Sequence, residues 1–578
     1  MKEIWMVFKQ SIFILKQNIM RFIKYQVATK MLLSFFLLPI FYWTITLLMK
    51  SKGYSYLINA PMRIFLLSPQ GIIIILLGLI FGLMVILIEF GGLILISYQV
   101  ITKQKESSFL TILKYSLYKI RYLLSIDGFF IVFYLFIIIP LINSNLKISI
   151  FKQLKIPGFI MDVINLNLLY QIYLGIVLVI FIILASRWIF VLPIILLNNN
   201  KVKYPLKESA KLLKQNYKYI FKYAILIIAF NITMFFMISS FLLLVLPKFC
   251  FEIVMPLIIS GGFILSLFIV APFYAILFTR LYIIIKGEES IEVFLAIKDR
   301  DTVIDKLLNN IKLSVLIFVL LVIMISFYTY AFIDKVDDLG YDVEITSHRG
   351  NTINSPENTL AAIEEAINNG ADFAEIDVQE TKDLKLILLH DKSFKRTTGI
   401  DKSPWELTIN EIKELDAGSW FGNEYIGEKI PTLKEVIDCS KGKINLNIEI
   451  KTDKHNKNVA REIIKIIKEN GIIDSCVVTS LDYTVLEKIE KYEPKIKTGY
   501  IMYIAIGDLS KLNIDFYSVE EALINKKFIV DAHNDDREVH VWTINTIESM
   551  KNILQFDVDN IITDNVKEVK QFMENNGK

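Results

Sequence analysis

The sequence predicts two folds in one chain: an N-terminal all-α polytopic membrane domain over about residues 1–335, and a C-terminal α/β barrel of the (β/α)8 kind over about residues 340–578. Three observations predict them. The chain has 578 residues, too many for one compact domain. Its mean hydropathy is +0.48, and the apolar residues are concentrated before about residue 335 in runs long enough to cross a bilayer. The remainder has a mixed, charged texture in which short strand-like runs alternate with amphipathic helical stretches.

The formal net charge of +4 is small for this length, and no soluble stretch forms a continuous basic face, which argues against nucleic acid as a partner. Cys250, Cys439 and Cys476 follow no metal-like spacing, which excludes a zinc ribbon or a disulfide-dense module. Cys439 and Cys476 are read as free buried thiols, with a disulfide as the alternative if they face an oxidising space. The amino terminus lacks a small-residue cleavage site and is not read as a removable signal peptide.

In the membrane half, Trp5, Phe8, Ile12, Leu15, Ile19 and Phe22 recur at helical spacing. This predicts either an interfacial helix before the first span or a helix packed against the bundle. Apolar runs at about 32–49, 71–99, 122–142, 172–197, 220–246, 253–285 and 313–333 give about seven spanning helices. Pro39, Pro193 and Pro272 mark bends. Lys and Arg alternate between connections. Rich segments hold Lys2, Lys9, Lys16, Arg21, Lys24 and Lys30, then Lys103, Lys105, Lys114, Lys119 and Arg121, then Lys201, Lys203, Lys207, Lys211, Lys214 and Lys218. The intervening loops are poorer, with Lys50, Lys52 and Arg63, then Lys147, Lys152 and Lys155, then Lys248. By the positive-inside rule the amino terminus is cytoplasmic, and an odd number of spans places the soluble half outside. Glu89 and Arg187 stand in apolar runs, each roughly 15 Å from an inner helix end. They are expected to pair, because an ionised group in hydrocarbon is costly alone. Arg280 lies near an inner end, where its side chain snorkels.

In the soluble half, strand-like runs fall at 343–347, 373–378, 384–389, 444–450, 476–480, 498–502, 516–519, 539–544 and 560–563, with amphipathic helices such as 359–368, 459–469 and 546–554 between most of them. That is one strand more than a (β/α)8 barrel needs, so one is expected to be a minor element.

The chemistry-bearing residues stand at the carboxyl ends of these runs, where barrel enzymes carry their sites. Glu375 and Asp377 are two apart on one strand, so both carboxylates point to one side while Ile376 points to the other. Glu449 and Lys451 repeat the spacing on a later strand. Three carboxylates without Cys or His ligands suit a hard, oxygen-loving divalent cation, Ca2+ or Mg2+, and disfavour zinc. A phosphodiester resists nucleophiles because it is anionic; the cation, Arg349 and Lys451 would neutralise charge building in the transition state. His348 and His390, two of five histidines, each stand at a strand end beside a second polar residue. They are predicted to act as general acid and general base. Glu357 and Asn358, in Pro356-Glu357-Asn358-Thr359, are candidate pocket residues.

These motifs in this order closely resemble the glycerophosphodiester phosphodiesterase family. The resemblance is carried by Ser347-His348-Arg349-Gly350, Pro356-Glu357-Asn358-Thr359-Leu360, Glu375-Ile376-Asp377-Val378, Leu389-His390-Asp391, Arg396-Thr397-Thr398-Gly399, Pro431-Thr432-Leu433, Glu449-Ile450-Lys451, Val541-Trp542-Thr543-Ile544-Asn545 and Ile561-Ile562-Thr563-Asp564. It covers the soluble half almost end to end. It implies a TIM barrel in which Glu375, Asp377 and Glu449 hold the metal, His348 and His390 are acid and base, and Arg349 and Lys451 contact phosphate. It also implies glycerol 3-phosphate and an alcohol as products, formed by attack of a glycerol hydroxyl and opening of a cyclic phosphate by water. Leu481 departs from the pattern, since an aromatic often follows the serine matched by Ser480. Trp542 is read either as a stack for glycerol or as a core aromatic. The polar stretch 392–431, with Trp405, Trp420 and Phe421, is expected to wall or cap the site. Ser186-Arg187-Trp188 and the lysine-rich loop after it look like the membrane domain fused to some family members.

The sequence thus reads as a multi-pass cell-membrane protein whose barrel faces outside and cleaves glycerophosphodiesters, deacylated phospholipids, lysolipids or glycerol-phosphate polymers beside the lipid bilayer. The alternatives are a phospholipase-like barrel acting on intact or lyso-phospholipids, a transporter or sensor with the barrel as accessory, and a non-catalytic binding module.

Overall fold

The computed structural model describes residues 2–123, 164, 167–198, 204–245, 266–287, 343–456 and 458–577. They fall into two compact units. Among the described residues, one gathers the helices of 2–52, 66–123, 167–198, 204–245 and 266–287; the other gathers Gly53–Phe65 with 343–456 and 458–577. The expected span at about 313–333, nearly all of that at 122–142, the first part of that at 253–285 and Cys250 lie outside the described residues.

In the helical unit, Lys2–Leu32 continues through a π-turn, Leu33–Leu37, into Leu38–Ser51. Phe8, Leu15 and Phe22, seven residues apart, are buried in the unit's core with Phe190 and Tyr282, whereas Trp5 and Ile12 are exposed. The first helix therefore packs against the bundle along one stripe. Among the described residues three helices are long and apolar enough to cross a membrane: Trp5–Ser51, Pro69–Ile101 and Phe268–Lys286. Pro39 and Pro272 each follow a π-turn, Leu33–Leu37 and Ser266–Val270, where the altered turn accommodates the missing N–H.

The expected pairing of Glu89 with Arg187 is not formed. Glu89 lies in a third π-turn, Leu87–Gly91, and its Oε2 is 2.8 Å from Lys30 Nζ on the first helix. Arg187 instead ends its helix, Leu168–Arg187, and is exposed, because the apolar run breaks at 188–190 before the short helix Val191–Leu197. One continuous helix over 172–197 would place Arg187 deeper than the observed break allows.

The strands of the second unit are, in chain order, β1 (Tyr56–Ile58), β2 (Glu344–Ser347), β3 (Phe373–Glu380), β4 (Leu386–Leu388), β5 (Asn445–Ile450), β6 (Cys476–Ser480), β7 (Lys497–Met502), β8 (Ala505–Gly507), β9 (Phe516–Glu520), β10 (Glu538–Trp542) and β11 (Asn560–Thr563). The main sheet runs β2-β11-β10-β9-β7-β6-β5-β3 and closes by pairing β2 with β3. Every pair in that ring is parallel, and β4 hangs antiparallel on β3. The surplus strand-like run at 384–389 is therefore the minor one, and the other eight close the predicted TIM barrel.

Alternation along the strands sorts side chains between two layers. Ile376 and Val378 of β3, and Leu446, Ile448 and Ile450 of β5, are buried in the core beneath the helices. Helices form where apolar spacing and caps coincide. The Thr359 hydroxyl accepts from Ala362 N to start Leu360–Asn368, and Val459–Asn470 buries Val459, Ile463 and Ile467 before Gly471, in the left-handed region, stops it. Cys439 is half-buried and Cys476 buried, and both thiols are free.

The Lys30–Glu89 pair gives a test. Lys30→Met alone or Glu89→Leu alone leaves one charge without its partner, whereas Lys30→Met/Glu89→Leu removes both. Heat inactivation of the detergent-solubilised protein should show each single variant less stable than the double variant.

Candidate active site

The interior-facing positions of β3 and β5 carry Glu375, Asp377 and Glu449, and Asp377 lies directly across from Glu449 in the parallel register. One oxygen from each of the three lies within 4.8 Å of the others, in a buried cluster. Three like charges so close must be offset. Lys451, one residue beyond β5, places Nζ 2.8 Å from Asp377 Oδ1 and also donates to Glu449. The Arg349 backbone N–H donates to Glu375 Oε2 at 2.7 Å, and its guanidinium approaches Asp377 at 3.7 Å. Burial and the charge of Asp377 push the Glu375 carboxyl up to about 8. Asp377 is buried too, but Lys451 and then His390 and Arg349 hold its pKa well below the usual carboxylate range. Lys451 is correspondingly raised against its burial by Asp377 and Glu449. An all-oxygen, buried, over-charged trio of this kind fits a hard divalent cation.

The loop after β2 turns sharply to bring its backbone to this cluster. Arg349 (φ +54°) and Gly350 (φ +88°) are left-handed, and a Cβ on Gly350 would lie 2.6 Å from Ala362 Cβ. Asn358, also left-handed, locks the loop to β3: its Nδ2 donates to Asp377 Oδ2 at 2.8 Å, and its Oδ1 accepts from Asp377 N at 3.0 Å. Glu357 is held by Arg349 Nη1 at 3.1 Å and by two nitrogens of Arg396, at 2.7 and 2.8 Å. Burial alone would raise its pKa; the Arg396 hydrogen bonds and both guanidinium charges keep it lowered.

Each predicted histidine has its Nδ1 beside a carboxylate. His348 Nδ1 is 2.7 Å from Asp564 Oδ1, just past β11, and Asp564 is itself held by Thr352 and Asn545. His390 Nδ1 is 3.0 Å from Asp391 Oδ1, and Arg396 Nε donates to that aspartate at 2.7 Å. Asp564, Asp391, Arg396 and Asn545 lie within the motifs above, and their partners emerge only in the folded chain. The signal for Asp564 was its position after the last strand, equivalent to that of His348 after the first.

All the predicted residues lie toward the carboxyl end of the barrel. Trp542 ends β10 and is half-buried. The stretch 392–431 has its own small core of Phe394, Ile412, Ala417 and Ile430 against β4. It is tied to the first loop by Tyr425 Oη donating to Asn354 O at 2.5 Å, and the Arg396 guanidinium lies over the Trp420 ring, 5.6 Å from its centroid.

Both halves of the chain are similar to known proteins. Residues 348–568 match the glycerophosphoryl diester phosphodiesterase family, and residues 8–325 match the membrane domain of glycerophosphoryl diester phosphodiesterase. A glycerophosphodiester phosphodiesterase of Caldanaerobacter subterraneus is 34% identical over 226 residues, covering 38% of this chain and 93% of that protein. One from Bacillus altitudinis is 30% identical over 230 residues, covering 38% of this chain and 94% of that protein. A solved Oleispira antarctica phosphodiesterase, in complex with the product sn-glycerol-3-phosphate, is 26% identical with a TM-score of 0.38, covering 40% of this chain and 96% of that one. The chain belongs to the glycerophosphodiester phosphodiesterase family and is a phosphoric diester hydrolase carrying that family's membrane domain.

The His348–Asp564 pair predicts a pH dependence. Burial opposes the charged imidazole, but the charge and hydrogen bond of Asp564 outweigh it and raise the His348 pKa. A raised histidine contributes stability that is fully present below its unfolded value, about 6.5, and lost as pH rises through the folded value. Asp564 is held low chiefly by His348, against its burial, so its own contribution fades only in acid. Asp564→Asn should therefore lower the thermal midpoint of chelator-treated protein more at pH 6 than at pH 9. An equal loss at both would mean that the imidazole is neutral in the folded state.

Proposed function

We propose that the barrel, about residues 340–578, hydrolyses glycerophosphodiesters to glycerol 3-phosphate and an alcohol at the outer face of the cell membrane, where a multi-span domain of about residues 1–335 holds it. The observation that carries this reading is the convergence of two aspartate-held histidines and a buried carboxylate trio at one end of the barrel. Glu375, Asp377 and Glu449 would hold a divalent cation, Ca2+ or Mg2+, which when bound supplies positive charge to the phosphate oxygens.

The chain's own residues supply the rest. With Nδ1 held by Asp564 or Asp391, each imidazole keeps Nε2 for proton transfer, the arrangement that fixes tautomer and ring orientation. One histidine takes the proton from an attacking glycerol hydroxyl as its oxygen bonds to phosphorus. The other gives a proton to the departing alcohol oxygen as the original P–O bond breaks. Water then opens the cyclic phosphate with the two roles exchanged. Arg349 and Lys451 meet the charge on the phosphate, and Glu357 and Asn358 fix the loop that carries Arg349. Trp542 offers an aromatic face at the mouth for the glycerol.

Glycerol 3-phosphate release from glycerophosphocholine and glycerophosphoethanolamine by the purified full-length chain tests the reading. Chelator should abolish release and Ca2+ or Mg2+ restore it. His348→Ala, His390→Ala and Glu375→Gln should each lower kcat by about 10²- to 10⁴-fold. Full activity in the presence of chelator, or in both histidine variants, would exclude this mechanism.

The distribution of lysine and arginine between the connections supports this orientation. Protease added to intact cells should cleave the barrel from its anchor. Protection until the membrane is opened would place the barrel inside.

A further inference from the structure

The segment that joins the first two long apolar helices, Gly53–Phe65, groups with the barrel and not with the helices that flank it. Its strand β1 pairs antiparallel with β8, with Tyr56 opposite Gly507, Leu57 opposite Ile506 and Ile58 opposite Ala505. Ile58 is 1% exposed and belongs to the barrel's hydrophobic core. Tyr56 stands edge-on to Tyr483, with ring centroids 6.4 Å apart.

Asn59 closes the attachment. Its backbone N–H donates to Ile504 O at 3.1 Å, its Nδ2 donates to Ile501 O at 2.6 Å, and its Oδ1 accepts from Tyr503 N at 3.1 Å. One residue thus satisfies the polar backbone where the chain leaves β7. Asn59 has φ +50°, a left-handed conformation that asparagine tolerates better than most residues, and the side chain is buried.

The barrel is shaped to receive this segment. Gly507 has φ +110°, and a Cβ there would lie 2.4 Å from Ser55 O and 2.7 Å from Tyr56 Cα, so a residue other than glycine would drive the two strands apart. Asp508 N donates to the same Ser55 carbonyl at 3.1 Å. β7 is parallel to its neighbours in the ring. The loop after Met502 therefore lies at the end of the barrel that carries His348, Glu449 and Asp564.

We infer that β1 and Asn59 form an intramolecular strand-addition clamp that holds the loop after β7 as part of the wall of the active-site mouth, with Asn59 a positioning residue for substrate binding. The inference rests on the barrel mouth being the catalytic site. It makes the connection between the first two apolar helices a component of the catalytic unit, necessarily on the same side of the bilayer as the barrel. Backbone pairing supplies the attachment, and the buried Ile58 and the Asn59 side chain fix its register.

Two measurements on the full-length chain in membranes test it. Leu57→Cys/Ile506→Cys should form a disulfide on addition of copper-phenanthroline and migrate faster on a non-reducing gel, whereas Leu57→Cys/Val530→Cys should not. Asn59→Gly keeps the left-handed backbone but removes both side-chain hydrogen bonds. It should raise KM for glycerophosphocholine about tenfold, equivalent to ~1.4 kcal/mol, with kcat within about twofold, and the disulfide introduced in the same chain should restore KM. Absence of the cross-link in protein that hydrolyses substrate overturns the clamp. An unchanged KM in Asn59→Gly, or a loss confined to kcat, overturns the positioning role. A cross-link in a chain that hydrolyses no glycerophosphodiester leaves the clamp standing and overturns the substrate reading instead.

Discussion

Three carboxylates buried at the mouth of one barrel set the terms for the residues around them. Burying like charges together is among the most costly arrangements a protein interior can hold, and cations and hydrogen-bond donors stand against Glu375, Asp377 and Glu449 to offset it. Lys451 and Arg349 meet the charge, Asn358 meets the remaining acceptor of Asp377, and the left-handed turn at Arg349 and Gly350 brings a backbone N–H to Glu375. The raised pKa of Glu375 expresses the strain that remains. A divalent cation held by the three carboxylates would replace this repulsion with coordination.

The two histidines proposed as acid and base are held in the same way. His348 and His390 reach the site from different strand ends, yet each has its Nδ1 against an aspartate, and Arg396 ties Asp391 to Glu357. One guanidinium thereby links the His390 side of the mouth to the loop that carries Arg349. Substrate phosphate would meet groups whose orientation is already set, the condition under which electrostatic stabilisation needs little reorganisation.

In the helical unit the rule is the same, with fewer charges. Glu89 in its π-turn takes Lys30, and Tyr25 Oη donates to Ile88 O at 2.6 Å, where the altered turn changes the backbone bonding. Arg187 stands in the last turn of its helix. Among the described residues local apolarity marked the apolar helices, but not which acid meets which base, because the choice between Lys30 and Arg187 depends on helix ends and packing.

The sequence by itself determined the barrel and its surplus strand, and it named the three carboxylates that the folded barrel brings together. Strand alternation sends Glu375, Asp377 and Glu449 inward, and a parallel barrel brings all strand ends together, so order along the chain suffices to collect them. Only the tertiary structure decided the partners. His348 and Asp564 are 216 residues apart, and Asn59 reaches Ile501 across 442 residues. Neither pairing leaves a local period or spacing to read, because hydrogen bonds between distant segments are set by how elements pack and not by how they are patterned. The π-turn that carries Glu89 and the docking of β1 on β8 were decided in the same way, by backbone geometry that exists only once the chain is folded.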